Sequence, residues 1–190
     1  MRIYSELMKL DFSLTTPRLI LRPYKTVDLL EYFAAVQESA EQLSPWLEWC
    51  YPDYNQHDAH EWITSSRLSW QTDISYELAL FSRHDDTLIG SVTLSTLFPM
   101  CNSANLGYWI RSSHHQQGLA KEATIAVANF AFQALDLTRL EIVTHTDNIA
   151  SQNTALACHA KFECEARNRI FAHGQVCNGL VYSLIPEDLC

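Results

Sequence analysis

Positive charge is scarce in this sequence: 13 Lys and Arg residues stand against 22 Asp and Glu, and the formal net charge is −9 at pH 7. A shortage of cations opposes tight binding to nucleic acid and to anionic membrane surfaces, because both bind proteins through basic patches. We therefore expect no nucleic-acid partner and no membrane partner. The acidic balance favours a cationic or basic partner instead.

Closely spaced cysteines and long apolar runs are also lacking. The six cysteines include no Cys-x-x-Cys spacing, and a chain of 190 residues can bury a core without disulfides, so we expect reduced, mostly buried thiols. The segment from Met1 to Leu10 has no continuous apolar stretch of the secretory type. The longest stretch without Asp, Glu, Lys or Arg, from Thr87 to Ile110, alternates polar and apolar residues, which indicates strands. These absences predict a cytoplasmic protein with one domain over residues 1–190.

Several common site motifs are absent as well. The sequence has neither the Gly-x-Gly-x-x-Gly dinucleotide fingerprint nor the Gly-Lys-Ser/Thr of a P-loop, which excludes sites built on those motifs. Two histidine pairs, His57-x-x-His60 and His114-His115, have no third ligand at a metal-binding spacing. Thr64 stands where a zincin motif needs its second histidine. We therefore expect no metal.

The pattern of apolar residues predicts an α+β fold. A meander of three strands precedes a β-α-β unit, so we expect a mixed, mostly antiparallel central sheet of six to seven strands flanked by helices, with a parallel right-handed crossover. Thr26, Ser44 and Ser151 have the residue types and positions of helix N-caps. The predicted strands cover residues 18–24, 75–83, 88–97, 104–111, 138–146, 163–171 and 179–185, and the predicted helices cover 27–40, 58–71, 118–135 and 151–161.

The segment from Gly107 to Ala123 combines a strand, a polar turn and the start of a helix. Backbone N–H groups from Gln116 to Lys121 would point out of the helix amino terminus, where unpaired donors and the helix dipole favour an anion. Gly118 would let a ligand approach the backbone closely. An ordinary β–α turn has the same pattern, so other segments must decide between the two interpretations.

Four such segments resemble the GNAT acetyltransferases, and within them the RimJ/RimL branch that acetylates protein amino termini. The resemblance extends over nearly the whole chain and implies a GNAT-like sheet with acetyl-CoA as cosubstrate. It also implies a primary amine as acceptor, such as the α-amine of a ribosomal protein. Relatives in this branch are often dimers, which leaves a homodimer open. The four segments are Thr16–Arg22, Ser44–Trp49, Leu88–Val92 and Gly107–Ile110.

The resemblance also implies which residues hold the cosubstrate. In the pyrophosphate motif of the family, His115 replaces a Gln or Arg and Gln116 replaces a frequent glycine. The fourth strand would supply a backbone N–H to the thioester carbonyl, which makes Ile110 the oxyanion donor. Ser151 would be the acid toward the thiolate. The implied cofactor-binding residues are Trp109, Ile110, His115, Gln116, Gln117, Gly118, Leu119, Ala120, Lys121, Asn148 and Asn153.

The acceptor side is less defined. Aromatic residues that line the acceptor mouth in relatives correspond to Trp46, Trp49 and Tyr51, although packing in the core explains them equally well. Asn105 and Ala172 stand where this branch often has glutamates, so no general base is inherited. The substitutes that stay open, without ranking, are Glu48, Glu77, His145 and a chain of water molecules.

The lack of a dedicated carboxylate favours an amino-terminal acceptor. An α-amine with a pKa of about 8 is partly neutral at pH 7, whereas a lysine with a pKa near 10.4 is almost fully charged, so lysine needs about 3 kcal/mol more help. Two alternatives are a small-molecule acceptor, such as a polyamine, an antibiotic or an amino acid, and a non-catalytic acyl-CoA-binding module.

Overall fold

The computed structural model describes residues 9–98 and 100–189, and a single sheet of eight strands runs through them. The strand order is β1-β2-β3-β4-β5-β6-β8-β7, and neighbours pair antiparallel except β5 and β6, which pair parallel. The strands are β1 (Leu14–Thr15), β2 (Leu19–Pro23), β3 (Tyr76–Ser82), β4 (Leu88–Phe98), β5 (Ser103–Ile110), β6 (Arg139–His145), β7 (Lys161–Ala172) and β8 (Gln175–Leu184). The helices are α1 (Leu29–Leu43), α2 (Gln56–Gln71), α3 (Leu119–Gln133) and α4 (Ile149–Ala157).

The predicted α+β class and the mostly antiparallel sheet are confirmed, with a parallel pair joined through α3. The sheet has eight strands rather than six or seven, because β1 has only two residues and is too short to show alternation. Of the five cysteines that the structure describes, Cys50 and Cys158 are buried, so the expectation of mostly buried thiols is wrong. The expectation for Met1–Leu10 falls mainly on residues 1–8, which lie outside the described residues, as does Cys190.

All three predicted N-caps are wrong. Thr26 begins a short 3-10 turn, and Asp28 precedes α1. Ser44 ends α1 instead of starting a helix, since its N–H donates to Ala40 O at 2.9 Å. Ser151 lies inside the first turn of α4, and its N–H donates to the side-chain oxygen of Asn148, which is the cap.

The two faces of the sheet carry different cores. Leu78 and Leu80 of β3 point to the face covered by α3 and α4, where aliphatic side chains dominate. Ala79 and Phe81 alternate with them and point to the face covered by α1 and α2, where aromatic rings cluster. We call these the α3/α4 face and the α1/α2 face. No helix in the described ranges is long and apolar enough to cross a membrane.

The parallel pair β5–β6 separates along its length. The two strands are paired over 103–105 and 139–141, yet β5 continues to Ile110 and β6 to His145. Residues 106–110 and 142–145 therefore face each other across a gap instead of sharing a ladder. We call this gap the β5–β6 cleft. It is the place where a ligand can pass between two strands of the sheet.

Candidate active site

One wall of the β5–β6 cleft is the backbone edge of β5. Arg111 N donates to Ile89 O on the β4 side at 2.7 Å, and successive residues of an antiparallel strand direct their backbone groups to opposite sides. The N–H of Ile110 consequently faces the cleft, whereas the backbone of Trp109 faces β4. His115 Nε2 donates to Ile110 O at 2.7 Å, which holds the end of the strand against the following turn. The cleft thus has a fixed backbone donor in the position predicted for Ile110.

The turn after β5 presents unpaired amides at the amino terminus of α3. Within the described residues, no hydrogen bond is made by the backbone N–H groups from Gln116 to Lys121. Gly118 caps the helix at φ +74°, and Gln116 adopts φ +58°, which costs a residue with a side chain about 1 kcal/mol. Gln116, Gln117, Gly118 and Lys121 are exposed, and Leu119 is buried. This arrangement is suited to binding a phosphate group.

An ion pair fixes this turn from the side of the first strands. Glu122 accepts hydrogen bonds from Thr16 Oγ1 at 2.6 Å, from Arg18 N at 2.9 Å and from Arg18 Nε at 2.6 Å. Arg18 Nη1 also donates to Gln117 O at 2.8 Å. Burial raises the pKa of Glu122, but the hydrogen bonds from Thr16 and Arg18 outweigh it and leave that pKa below its usual value. With its carbonyl held by Arg18, the turn keeps its N–H groups directed away from the protein.

A second group of contacts ties the turn to α1. Glu38 accepts from Arg111 Nε at 2.6 Å and from Ser113 N at 3.0 Å, and Ser39 Oγ accepts from Ser112 N at 3.0 Å. Hydrogen bonds from Ser113 and Arg111 lower the pKa of Glu38 to about 2. These hydrogen bonds join α1 to the start of the turn after β5.

The other end of the cleft is formed by α4. Asn148 caps this helix, so its side-chain oxygen is already occupied at 3.0 Å from Ser151 N. Tyr108 of β5 reaches across to α4: its hydroxyl donates to Ser151 O at 2.8 Å and lies 3.3 Å from Ser151 Oγ. Burial raises the pKa of Tyr108, which keeps its proton in place. Asn153 lies on the exposed side of α4.

Tyr108 is a residue that sequence reasoning missed. Its ring points to the α3/α4 face because it alternates with Trp109, whose ring lies in the aromatic cluster of the opposite face. The sequence feature that could have indicated it is a tyrosine two residues before Ile110, the predicted oxyanion donor, in the same strand. Thr144 of β6 also has a buried hydroxyl without a hydrogen-bond partner among the described residues.

Aromatic rings line the cleft on the α1/α2 face. Trp46 lies in the loop between α1 and α2, and its ring centroid is 5.6 Å from that of His145 at the end of β6. Trp49 packs 6.1 Å from Trp109 of β5. The structure therefore brings Trp46 and Trp49 to the cleft from both sides, whereas Tyr51 is 41% exposed and packs farther out along the loop.

The three candidate bases occupy different environments. Glu48 is exposed on the loop. His145 is half-buried, and its Nδ1 accepts from Asp147 N at 3.2 Å. Glu77 of β3 accepts a short hydrogen bond from Thr93 of β4, and its burial raises its pKa to about 7 although this bond acts in the opposite direction.

The two positions without glutamate also have clear surroundings. Asn105 pairs with Glu141 across the top of the cleft, and Glu141 is held by Arg139 at 2.9 Å and by Arg169 at 3.5 Å. Ala172 lies at the β7–β8 turn, where it pairs with Gln175. Among the described residues there is no group of three or more His, Cys, Asp or Glu side chains that could hold a metal ion.

The sheet thus opens between two parallel strands beside a helix terminus whose unpaired amides suit a phosphorylated ligand. Residues 18–161 match the model of the acetyltransferase (GNAT) domain family, and the chain belongs to this family.

Solved structures have the same fold. A Vibrio cholerae protein provisionally assigned as a ribosomal-protein-serine acetyltransferase is 36% identical, with a TM-score of 0.83 over 93% of this chain and 99% of that one. RimL, the ribosomal L7/L12 α-N-protein acetyltransferase, solved with coenzyme A, is 19% identical with a TM-score of 0.84 over 94% and 100% of the two chains.

A curated relative, the ribosomal-protein-serine acetyltransferase of Escherichia coli strain K12, is 26% identical over 110 residues. That alignment covers 58% of this chain and 60% of the relative, so the matched part is less than two thirds of the relative's length.

Proposed function

We propose that this protein is an acetyl-CoA-dependent N-acetyltransferase and that its acceptor is the α-amine of a protein amino terminus. The acetyl-CoA part of the proposal rests on two sets of backbone donors that occur together. They are the unpaired amides at 116–121 and the Ile110 N–H, which faces the cleft between the diverging strands. One group of donors suits the pyrophosphate and the other suits the thioester carbonyl. Structural neighbours that were solved with coenzyme A or acetyl-CoA support the same ligand.

The chemistry assigned to the cleft is acyl transfer. The amine nitrogen forms a bond to the carbonyl carbon, the C–S bond breaks with its electron pair going to sulfur, and the nitrogen loses a proton. The Ile110 N–H donates to the oxygen that becomes negative during attack. Ser151 would protonate the leaving thiolate, and the Tyr108 hydroxyl that contacts it is a second candidate donor. With a thiol pKa of roughly 8.5, that thiolate needs little acid assistance.

Three considerations support an α-amine acceptor. Relatives named for ribosomal-protein acetylation include the Escherichia coli and Vibrio cholerae proteins. The net charge of −9 attracts basic proteins, although it also attracts small polyamines. An α-amine is more easily deprotonated than a lysine by a site with a single weak base.

The test is thiol release from acetyl-CoA by the purified chain with a panel of acceptors. Peptides that begin with Ser, Ala or Met should be acetylated faster than spermidine, free lysine or an aminoglycoside. Faster turnover of spermidine or lysine would overturn the α-amine assignment. Calorimetric binding of acetyl-CoA without turnover of any amine would indicate a binding module instead.

Four expectations from the sequence are still predictions and are proposed together with this function. They are the single domain over 1–190, the homodimer, the cytoplasmic location and the role of Asn153 as a contact for the cosubstrate. Size-exclusion chromatography with light scattering tests the second, and loss of acetyl-CoA affinity in Asn153→Ala tests the last.

A further inference from the structure

Glu77, Thr93 and Gly107 form a row across three neighbouring strands. Glu77 pairs with Thr93, and Thr93 pairs with Gly107, so all three positions belong to the same face of the sheet. This is the α1/α2 face, because Ala79 two residues after Glu77 and Trp109 two residues after Gly107 belong to its core. The row leads from a carboxyl group to the strand that carries the Ile110 donor.

Gly107 leaves an accessible space at the end of this row. It is exposed, and a Cβ placed on it would meet nothing nearer than Thr93 Cβ at 4.0 Å. On the same strand, the ring of Trp109 lies on one side of this space, and the side chain of Asn105 lies on the other. An amine that enters from the α1/α2 face can therefore approach β5 above Gly107, and the Ile110 N–H lies three residues, roughly 10 Å, farther along the same strand.

The surroundings of Glu77 suit a group that gains and loses a proton. The Glu77 charge acts electrostatically on two phenols, those of Tyr24, at the end of β2, and Tyr32, in α1. Burial raises the pKa of both phenols, so they stay neutral. In the part of the chain that the structure describes, no cation acts on the Glu77 carboxyl. Its charge is therefore not neutralised by an ion pair and depends on pH.

Tyr24 provides a second, independent observation. Its hydroxyl is fully buried and has no geometric hydrogen-bond partner among the described residues, although Ser91 lies beside it. A buried hydroxyl without a partner is costly unless a water or another polar group completes it. Because the Glu77 carboxyl also faces this phenol, a polar guest near both groups would complete the hydrogen bonding.

We propose that Glu77, hydrogen-bonded to the Thr93 hydroxyl, receives the proton of the acceptor amine, and that water in the space above Gly107 carries the proton from the amine to Thr93. One proton of the ammonium group passes through this water to Thr93 Oγ1 as the Thr93 proton passes to the Glu77 carboxylate, so one N–H bond breaks and one carboxyl O–H bond forms. The lone pair freed on nitrogen forms the bond to the carbonyl carbon, and a second N–H proton leaves with the thiolate sulfur as the C–S bond breaks. This inference rests on the proposed acetyl transfer.

The principal test is Glu77→Gln, measured by steady-state kinetics with a peptide acceptor between pH 5.5 and 9. The amide oxygen of Gln can still accept from Thr93, so shape and hydrogen bond are retained while the proton-accepting charge is removed. We expect kcat to fall about 100-fold, with the Kd for acetyl-CoA unchanged. The rise of the wild-type kcat through about pH 7 should disappear in the variant, because that rise reports ionisation of Glu77.

Threonine variants and a matched control separate this role from a structural one. Thr93→Val removes the relay and should lower kcat about as much as Glu77→Gln, whereas Thr93→Ser keeps the hydroxyl and should retain most of the rate and the pH profile. Glu165→Gln is the control, because Glu165 also accepts a hydrogen bond on the sheet, from Asn178 at 2.7 Å, far from the cleft. It should leave kcat and the pH profile unchanged.

The outcomes distinguish the two proposals. Wild-type turnover with an unaltered rate and pH profile in Glu77→Gln would overturn the relay and leave the acetyltransferase function standing. Absence of turnover by wild-type protein with every amine would overturn both. Loss of acetyl-CoA binding in Glu77→Gln would also overturn the relay, because it would show that the side chain supports the fold of the cleft.

Discussion

The two faces of the sheet contribute different kinds of groups to the candidate site. We call the α3/α4 side the donor half and the α1/α2 side the acceptor half. On the α3/α4 side, the anion-binding turn and the Ile110 donor are backbone groups, fixed by one strand end and one helix start. On the α1/α2 side, the proposed acceptor region consists of side chains from separate segments, including Trp46, Glu77 and Thr93. Backbone sites tolerate changes of side chain, whereas side-chain sites can be redirected by substitutions. The comparison predicts a constant donor half and an adaptable acceptor half.

The largest expected effect comes from placing a negative charge in the donor half. Gly118→Asp puts a carboxylate among the unpaired amides at φ +74°, where it repels the pyrophosphate, and should raise the Kd for acetyl-CoA about 100-fold. Gly118→Asn is the matched control, because Asn has the same shape and tolerates the left-handed conformation. It should raise the Kd less than 10-fold. Equal losses in the two variants, measured by calorimetry, would show that backbone strain rather than anion binding explains the effect.

A smaller effect is expected where the donor half uses a side chain. Tyr108→Phe removes the hydroxyl that contacts Ser151 and should lower kcat about 10-fold while the Kd for acetyl-CoA stays within about twofold, because a thiolate leaving group needs little acid. Pre-steady-state thiol release measures this directly. If Tyr108→Phe abolished binding, the tyrosine would be a support of the cleft and the division between backbone and side-chain roles would fail.

In the acceptor half, Trp46→Ala should affect the peptide alone. Removing the ring that packs on His145 opens the α1/α2 side of the cleft and should raise the KM for peptide about fivefold, a loss of about 1 kcal/mol of aromatic contact. Tyr51→Ala, farther along the loop and 41% exposed, should have a weaker effect. An altered Kd for acetyl-CoA in Trp46→Ala would contradict the separation of the halves.

The smallest effect is expected for the contacts between α1 and the turn after β5. Glu38→Gln weakens the contacts from α1 to the turn at Arg111 and Ser113 and should cost about 0.5–1 kcal/mol of unfolding free energy, since the site is partly solvated. The folded pKa of about 2 lies below the unfolded value, so this stabilisation is present above about pH 4.5 and is lost as pH falls toward 2. Urea denaturation should show a smaller difference in unfolding free energy between wild type and variant at pH 3 than at pH 7.

The parts of the site formed by residues close in sequence could be predicted, and the parts formed by contacts between distant strands could not. The anion-binding turn was predictable because one stretch, Gly107–Ala123, contains the strand, the glycine and the helix start. Glu77 was among the candidate bases, but the sequence could not rank it, because its partner Thr93 lies on another strand and the register that joins them to Gly107 is a property of the folded sheet. Alternation alone directs Tyr108 to α4, and no local pattern indicates what it meets there.

The wrong N-caps have a related cause. Ser44 and Ser151 each have a side chain suited to capping. However, α1 continues past its predicted end at residue 40, so Ser44 is the residue that ends it, and the side chain of Asn148 caps α4 before Ser151 is reached. Capping is decided by competition between neighbours within a few residues, and helix ends are the part of a helix that periodicity defines least. The strand and helix bodies, where many residues agree, were predicted correctly.

The most direct test uses one peptide that has a free amino-terminal serine and an internal lysine, incubated with the purified protein and acetyl-CoA. Tandem mass spectrometry then locates the acetyl group. A cleft with a backbone oxyanion donor and one weak base predicts acetylation at the amino-terminal serine, with the lysine unmodified. Acetylation of the lysine first, or release of no thiol at all, would contradict the account.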